Sequence, residues 1–398
     1  MLLLLAAPLA SQPTAPALIP LCDGLRIVTA VNDRAGDYES IKTVDAVTAE
    51  SVRITYSSES MVQDLFDTAP TLRKTNLVRV VRREDLTAAA AYLQRFTEHT
   101  PELVPGTTAL GTSAAVLTSL RRDGRANLAI FGPFAGPVPL DRGVHPNVYD
   151  NQMTAEAQRV GFESVRLIVN GQVAELPAIR VEANFYGDLS EFHFLDDPDN
   201  PLTLKFRIGI RPPDPAKVEM ARVMGDPLPT SGDRETLQVI RITHRCGELS
   251  ADEARGGAGA GAGASGLPGG AGSASGLERA LAESGHADVY DIYFSFNSAE
   301  IRAESEPMLR EIGDLLARHP DWRLTIAGHT DAIASDSYNL DLSRRRAAAV
   351  KQALTTRYRV APGRLATTGH GESQPRDTND TLEGRARNRR VELVRRPK

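Results

Sequence analysis

Apolar and polar residues alternate in short runs through most of residues 22–250, the period-2 signature of half-buried strands. Leu25-Arg26-Ile27-Val28, Val52-Arg53-Ile54-Thr55-Tyr56 and Leu77-Val78-Arg79-Val80-Val81 are short and rich in β-branched residues, and Leu204 to Ile210 and Leu237 to Ile242 repeat the pattern. Asn170-Gly171, set between the apolar runs of Val165 to Leu176, predicts a hairpin. Asp123-Gly124 predicts a second one. Leu86, Ala89, Ala90 and Leu93 fall on one side of a helix over Asp85 to Phe96. The pattern describes a β-rich domain, a sandwich or two related β units.

Beyond residue 280 the period lengthens. Ala287 to Phe296 reads as a strand. Glu304 to His319 is an amphipathic helix with Met308, Leu309, Ile312, Leu315 and Leu316 inward, Ser305 as its cap, Pro307 in its first turn and Pro320 at its end. Leu324 and Ile326 suit a short strand, and a second helix starts near Ser337 or Ser343. Strands at Leu365 to Thr368 and Val391 to Val394 complete an α/β layer, helices on one face of a mixed sheet. Arg255 to Gly276 is a Gly/Ala/Ser tract that can build no core, so it predicts a flexible linker with a reach of about 25 Å. The expected organisation is a leader (1–21), a β-rich domain (22–250), a linker (251–279) and an α/β domain (280–398), the two domains reorienting independently.

On the second helix Leu342, Arg346, Val350 and Leu354 lie four apart and share a face. A guanidinium in an apolar stripe must be paired or reach solvent through a cleft. The nearest obvious carboxylate in the sequence is Asp331, at the mouth of the preceding strand. The two either pair with each other or form a site.

The same residues carry a resemblance. Thr330-Asp331, Tyr338-Asn339, Leu342-Ser343-x-x-Arg346-Ala347 with Val350, and Asn388-Arg389-Arg390-Val391 resemble the OmpA-like C-terminal peptidoglycan-binding domain, as does Phe294-Ser295-Phe296-Asn297-Ser298-Ala299-x-Ile301 upstream. The resemblance covers roughly 288–394 and implies a βαβαββ-like fold. It further implies the ligand, meso-diaminopimelate of the peptidoglycan stem peptide. Asp331 would take its ammonium and Arg346 would grip its carboxylate in a fork. Asn297, Thr330, Asn339 and Val391 stand at matching positions and would help through loop and backbone contacts. Arg344 and Arg345 read as solvated, Asn388, Arg389 and Arg390 as fixing the loop before the last strand, and His329 and His370 as flanking the cleft. Two positions depart from the family pattern: Ala334 where a Gly is usual, and Ser295 where an acid is common.

Composition narrows the remainder. Net charge is −5, with no basic stripe, which argues against nucleic acid. No apolar run is long enough for a transmembrane helix, and a transmembrane barrel is disfavoured because residues 22–250 hold no Trp and break their short strands with Pro. Met1 to Ala10 resembles a secretory core without its leading Lys or Arg, to be cleaved after Ala10 or Ala17; a disordered apolar tail is the alternative. Cys22 and Cys246 are the only cysteines. A disulfide closing the β domain is the expectation, worth about 5 kcal/mol by loop entropy. Lipid on Cys22 is the alternative, but Leu21 stands where a lipobox needs a small residue.

The β domain has no GxSxG, HExxH or P-loop. His193 to Asn200 is acidic but lacks the Gly and distal Glu of a calcium loop, and reads as solvated. No catalytic residue, metal or cofactor is assigned. The expectation is a periplasmic, wall- and outer-membrane-associated protein. It would bind peptidoglycan, with an envelope protein as a second partner through the β domain. An envelope enzyme held at the wall and a subunit of an envelope machine remain the alternatives.

Overall fold

The computed structural model describes residues 18–32, 37–62, 71–94, 96, 101–131, 152–185, 188–210, 215–225, 235–244, 246 and 274–396. The leader up to residue 17 and most of the Gly/Ala/Ser tract lie outside them. Among the described residues no helix is long and apolar enough to cross a membrane.

In the N-terminal unit a meander of β1 (Arg26–Asn32), β2 (Tyr38–Val47), β3 (Ser51–Val62) and β4 (Thr71–Arg82) leads into α1 (Arg83–Ala88). Three two-residue strands follow, β5 (Ala91–Tyr92), β6 (Glu102–Leu103) and β7 (Thr107–Thr108), then α2 (Ala114–Asp123) and β8 (Arg125–Phe131). The second half holds β9 (Gln152–Val169), β10 (Gln172–Phe185), β11 (Asp188–Leu195), β12 (Thr203–Ile210), α3 (Pro215–Met224) and β13 (Glu235–Thr243). All of these strands join one sheet, in the order β6-β4-β3-β2-β1-β13-β12-β11-β10-β9-β8-β5-β7. A parallel pairing of β13 with β9 closes β9–β13 into a ring. A sandwich or two related β units were expected, not one continuous sheet; the alternation of single strands does not reveal that β13 has partners in both halves.

Asn170 and Gly171 turn the β9–β10 hairpin with φ of +48° and +80°, the left-handed pair a two-residue turn requires. Asp123-Gly124 makes no hairpin. Gly124, at φ +73°, ends α2 in a left-handed cap, and the Ser113 side chain accepts the Val116 N–H at its start. The helix expected over Asp85 to Phe96 stops at Ala88. Ala91 and Tyr92 instead enter the sheet between β7 and β8, where burial of Tyr92 and Leu93 outweighs helix propensity. Cys22 and Cys246 form the disulfide, Cα–Cα 5.9 Å. The 193–200 loop is not solvated throughout: Asp197 and Asn200 are buried, accepting the Leu18 N–H at 2.7 Å and donating to the Ile19 carbonyl at 2.8 Å.

The C-terminal unit runs α4 (Ala274–Glu283), β14 (His286–Val289), α5 (Glu306–Arg318), β15 (Arg323–His329), α6 (Asp336–Arg357), β16 (Leu365–Gly371), α7 (Leu382–Asn388) and β17 (Val391–Arg396). Its sheet order is β14-β17-β15-β16, with β15 and β16 parallel and β17 antiparallel to both of its neighbours. Leu309, Ile312 and Leu316 of α5 pack with Val350 and Leu354 of α6 over Leu324, Ile326 and Leu393. Leu277 and Leu281 of α4 join that core, so the unit includes α4, whose first residues lie inside the stretch read as linker. The strand expected over Ala287 to Phe296 is four residues long. Beyond it, the Ser305 hydroxyl accepts from the Tyr293 N–H at 2.8 Å and donates to its carbonyl at 3.1 Å; it does not cap α5.

The two units are docked. Val28, Ala30, Ile41 and Ile240 share a buried cluster with Tyr293, Leu382 and Ala386. Glu59 accepts the Phe296 N–H at 2.9 Å and the Ser295 hydroxyl at 3.2 Å. Arg26 donates to the Glu304 carbonyl at 2.9 Å, and Arg385 pairs with Asp37 at 2.7 Å. The expectation of independently moving domains is therefore corrected. The interface-facing side chains of β1–β3 are interleaved one by one with those of the opposite face, so no contiguous patch appears in the sequence.

Candidate ligand-binding site

The end of β15, the loop after it and the first turns of α6 meet where two glycines let helix and sheet approach. A Cβ at Gly328 would lie 2.2 Å from the Ser343 carbonyl oxygen, and one at Gly369 2.5 Å from the Arg344 nitrogen. Close approach sets Asp331, just past β15, beside α6. Asn297, Thr330, Asp331, Asn339, Arg346 and Val391 all line one cavity of about 290 Å³. Its opposite wall comes from the N-terminal unit, including Tyr38, Glu39 and Glu59.

Asp331 and Arg346 do not pair directly. Arg346 is half-buried, donates from Nε to the Ser298 carbonyl at 3.0 Å, and lies 4.9 Å over the Phe294 ring. Burial and the nearby Arg389 lower its pKa to about 10, while Asp331 and Glu39 oppose that shift; it remains a cation at neutral pH. Asp331 Oδ2 instead accepts from Arg389 Nη1 at 2.7 Å. Arg389 turns its other edge to Glu39 of β2, Nε to Oε1 3.1 Å, with a second contact from Nη2. Burial alone would lower the pKa of Arg389, but Glu39 and Asp331 raise it. Burial works against ionised Glu39 as well, and Arg389 and Arg241 outweigh it. The structure thus assigns Arg389 an ionic bridge between units, not the loop-fixing part expected of it.

Residues 293–389 match the model of the OmpA family. This segment is an OmpA-family domain. Over 102 residues it is 41% identical to outer membrane porin F of Pseudomonas aeruginosa, covering 26% of this chain and 29% of that protein. Over 103 residues it is 41% identical to the peptidoglycan-binding protein ArfA of Mycobacterium tuberculosis, covering 26% and 31%. The chain therefore spans about three tenths of the length of these relatives. The cell wall anchor of the T6SS from Pseudomonas aeruginosa is 32% identical, with TM-score 0.26, over 31% of this chain and 94% of that one.

Within the OmpA-family domain the remaining site residues divide into those that shape the loop and those free to meet a ligand. Asn339 is fully engaged, Nδ2 lying within 3.1 Å of the Asp331 and Ala334 carbonyls and 2.6 Å from Glu372. Thr330 donates its N–H to the Gly371 carbonyl at 2.9 Å, while its buried hydroxyl has no partner among the described residues. Asn297 holds φ +53° and accepts from the Tyr338 hydroxyl at 2.6 Å, a strained non-glycine residue of the kind that clusters at binding sites. Ala334 is not in the left-handed region, so its departure from the family pattern costs no strain. Asn388 accepts from the Arg376 and Asp377 N–H groups at 2.7 and 3.0 Å, and Arg390 pairs with Asp288 at 3.0 Å; both are structural. His329 Nε2 lies 3.2 Å from Glu392, its ring stacked on His370. Among the described residues no group of three or more His, Cys, Asp or Glu could hold a metal. What the sequence reading missed was the inter-unit role of Arg389, a cation two residues before a strand whose first residue, Val391, was already placed at the site.

Proposed function

We propose that this protein binds peptidoglycan non-covalently through the diaminopimelate of stem peptides and so anchors its N-terminal unit, or a partner of that unit, to the wall of the cell envelope. The observation that carries the reading is the opening of one carboxylate, Asp331, and one forked cation, Arg346, onto a single small cavity in a domain of the OmpA family. A free amino-acid end presents an ammonium and a carboxylate close together, and those two groups match this pair. The Thr330 hydroxyl, buried without a partner among the described residues, adds a neutral hydrogen-bonding group. A relative of similar identity bears the name peptidoglycan-binding protein.

Co-sedimentation of the purified full chain with diaminopimelate-type sacculi tests the reading. Asp331→Ala and Arg346→Ala each leave one ligand charge unpaired in a partly dry site, a loss of about 2–5 kcal/mol, or roughly thirty-fold and more. Arg346→Lys loses most binding too, because an ammonium cannot reproduce the fork. Arg345→Ala, which removes an exposed pair with Asp341, binds as wild type. Folded Asp331→Ala and Arg346→Ala proteins that sediment like wild type would overturn the assignment.

A further inference from the structure

The N-terminal unit contains a second cavity, of about 390 Å³, unrelated to the peptidoglycan reading. It forms on the face of β1–β4 opposite the docked domain. Ile27, Thr29 and Val31 of β1 line it while Val28 and Ala30 pack toward Tyr293; Tyr38, Ser40 and Lys42 of β2 line it while Ile41 faces the other way. Thr203 to Phe206 of β12 and Tyr92, Gln94 and Phe96 complete its lining.

Its charge is one-sided. Lys42, Arg73 and Lys205 line it, and no lining residue is a carboxylate. None of the three has a carboxylate partner among the described residues. Arg73 is exposed, Lys42 and Lys205 half-buried. Lys42 Nζ donates to the Ala109 carbonyl at 3.2 Å and lies 5.8 Å from the Phe96 ring centre, which leaves donors of its three N–H groups unused. The remaining wall is apolar and aromatic, with Tyr56 stacked on Phe96 at 5.2 Å. Two buried polar atoms on lining residues, Gln94 Oε1 and Thr203 Oγ1, have no partner among the described residues.

A half-buried cation without a counter-ion is costly unless something supplies one. The carboxylate of Glu102 cannot supply it, being itself paired with the neighbouring Arg79 at 2.6 Å. We propose that this cavity binds a small organic anion, a carboxylate on an apolar body, with the carboxylate at Lys42 and Lys205 and the body against the aromatic wall. Lys42 then works as a pH-dependent anchor. Burial, reinforced by Arg79, lowers its pKa to about 7. The ionisable groups around it are the cations Arg79 and Arg73 of β4 and Lys205 of β12, and the phenols Tyr38, Tyr56 and Tyr92. A bound anion favours the protonated lysine, so affinity is full below that pKa and falls as pH rises through it.

Calorimetric titration of the full chain with decanoate below its micelle concentration, with decanol and with inorganic phosphate, tests the inference at about pH 6 and about pH 9. Decanoate should bind one to one at the lower pH, about tenfold tighter than decanol, and lose about tenfold on going to the higher pH. Phosphate should not saturate. Lys42→Met should lose about tenfold and abolish the pH dependence, and Lys205→Gln should weaken binding while keeping it. Equal affinity for decanoate and decanol, saturation by phosphate alone, or wild-type behaviour of folded Lys42→Met would each overturn the proposal. Should Lys42→Met not fold, the decanoate–decanol comparison and its pH dependence in the wild-type protein decide alone.

Discussion

Asp331 is a shared carboxylate. One oxygen is held by Arg389, and Arg389 is held in turn by Glu39 from the other unit, so the ammonium of the proposed ligand would reach Asp331 alongside a resident cation. Breaking a buried pair leaves an uncompensated charge, which typically costs about 3–5 kcal/mol. Arg389→Met strands two carboxylates at once and should destabilise the folded chain by about that amount in urea unfolding. Adding Glu39→Gln should recover part of the loss, since the two residues belong to one network; additive losses would show that the bridge carries little energy. A second ionic group sets the acid limit. The neighbouring His329 ring lowers the Glu392 pKa to about 2 from an ordinary 4.5, with help from Arg376 and Arg390. A depressed carboxylate stabilises the fold above its unfolded pKa and loses that contribution as pH falls through the folded one. Glu392→Gln should therefore lower stability by a constant amount above pH 4.5 and flatten the profile between pH 4.5 and about 2; an unaltered acid limb would refute the link.

At the scale of the elements, α6 and β15 present the site only because no side chain separates them. Gly328→Ala sets a Cβ against the Ser343 backbone, which cannot move aside as a flexible side-chain tip would. Overpacking of this kind costs about 1–3 kcal/mol, and α6 must shift and carry Arg346 with it. The C-terminal unit should melt several degrees lower, about 3–6 °C per kcal/mol for a unit of this size, and sacculus binding should weaken even where the unit stays folded. An unchanged melting temperature would show that the contact is slack. Much of this was legible in the sequence. The four-residue spacing of Leu342, Arg346, Val350 and Leu354 located the α6 face, and Asn170-Gly171 located its hairpin, because both signals are local. Asp123-Gly124 misled because a left-handed glycine serves a helix end as readily as a hairpin. The stretch from Tyr290 to Phe296 looked like a strand, but Ile292 and Phe294 are packed into the C-terminal unit's own core and Tyr293 is buried by the partner unit, rather than by a ladder. The pairing of β13 with β9 depends on residues 73 positions apart at Ile168 and Arg241, a distance over which alternation carries no information.

The whole molecule turns one sheet two ways. Successive residues of β1 and β2 alternate between the lysine-bearing cavity and the docked OmpA-family domain, so the same strands serve both faces. Docking has a consequence for wall binding, because Tyr38, Glu39 and Glu59 form part of the wall of the cavity that holds Asp331 and Arg346. On the proposed reading a single diaminopimelate end would have to enter a space of about 290 Å³, and the glycan mesh bearing it would have to approach past the N-terminal unit. Ile41 is 1% exposed within the shared apolar cluster and does not line the site, which makes it a handle on docking alone. Ile41→Asp buries an unpaired charge only while the units are together; once they part, the aspartate is solvated. The full-length Ile41→Asp, Glu59→Ala protein should therefore give a larger radius of gyration in X-ray scattering than wild type while retaining the thermal transition of each unit. Its affinity for sacculi should rise about tenfold, an equilibrium shift of about 1.4 kcal/mol from no longer displacing the N-terminal unit. Wild type should approach the same state as salt screens the Asp37–Arg385 and Glu39–Arg389 pairs. An open variant that binds sacculi no better would show that the docked unit leaves the wall ligand a clear path. An unexpanded variant would show that Val28, Ala30 and the polar contacts that remain are enough to hold the two units together.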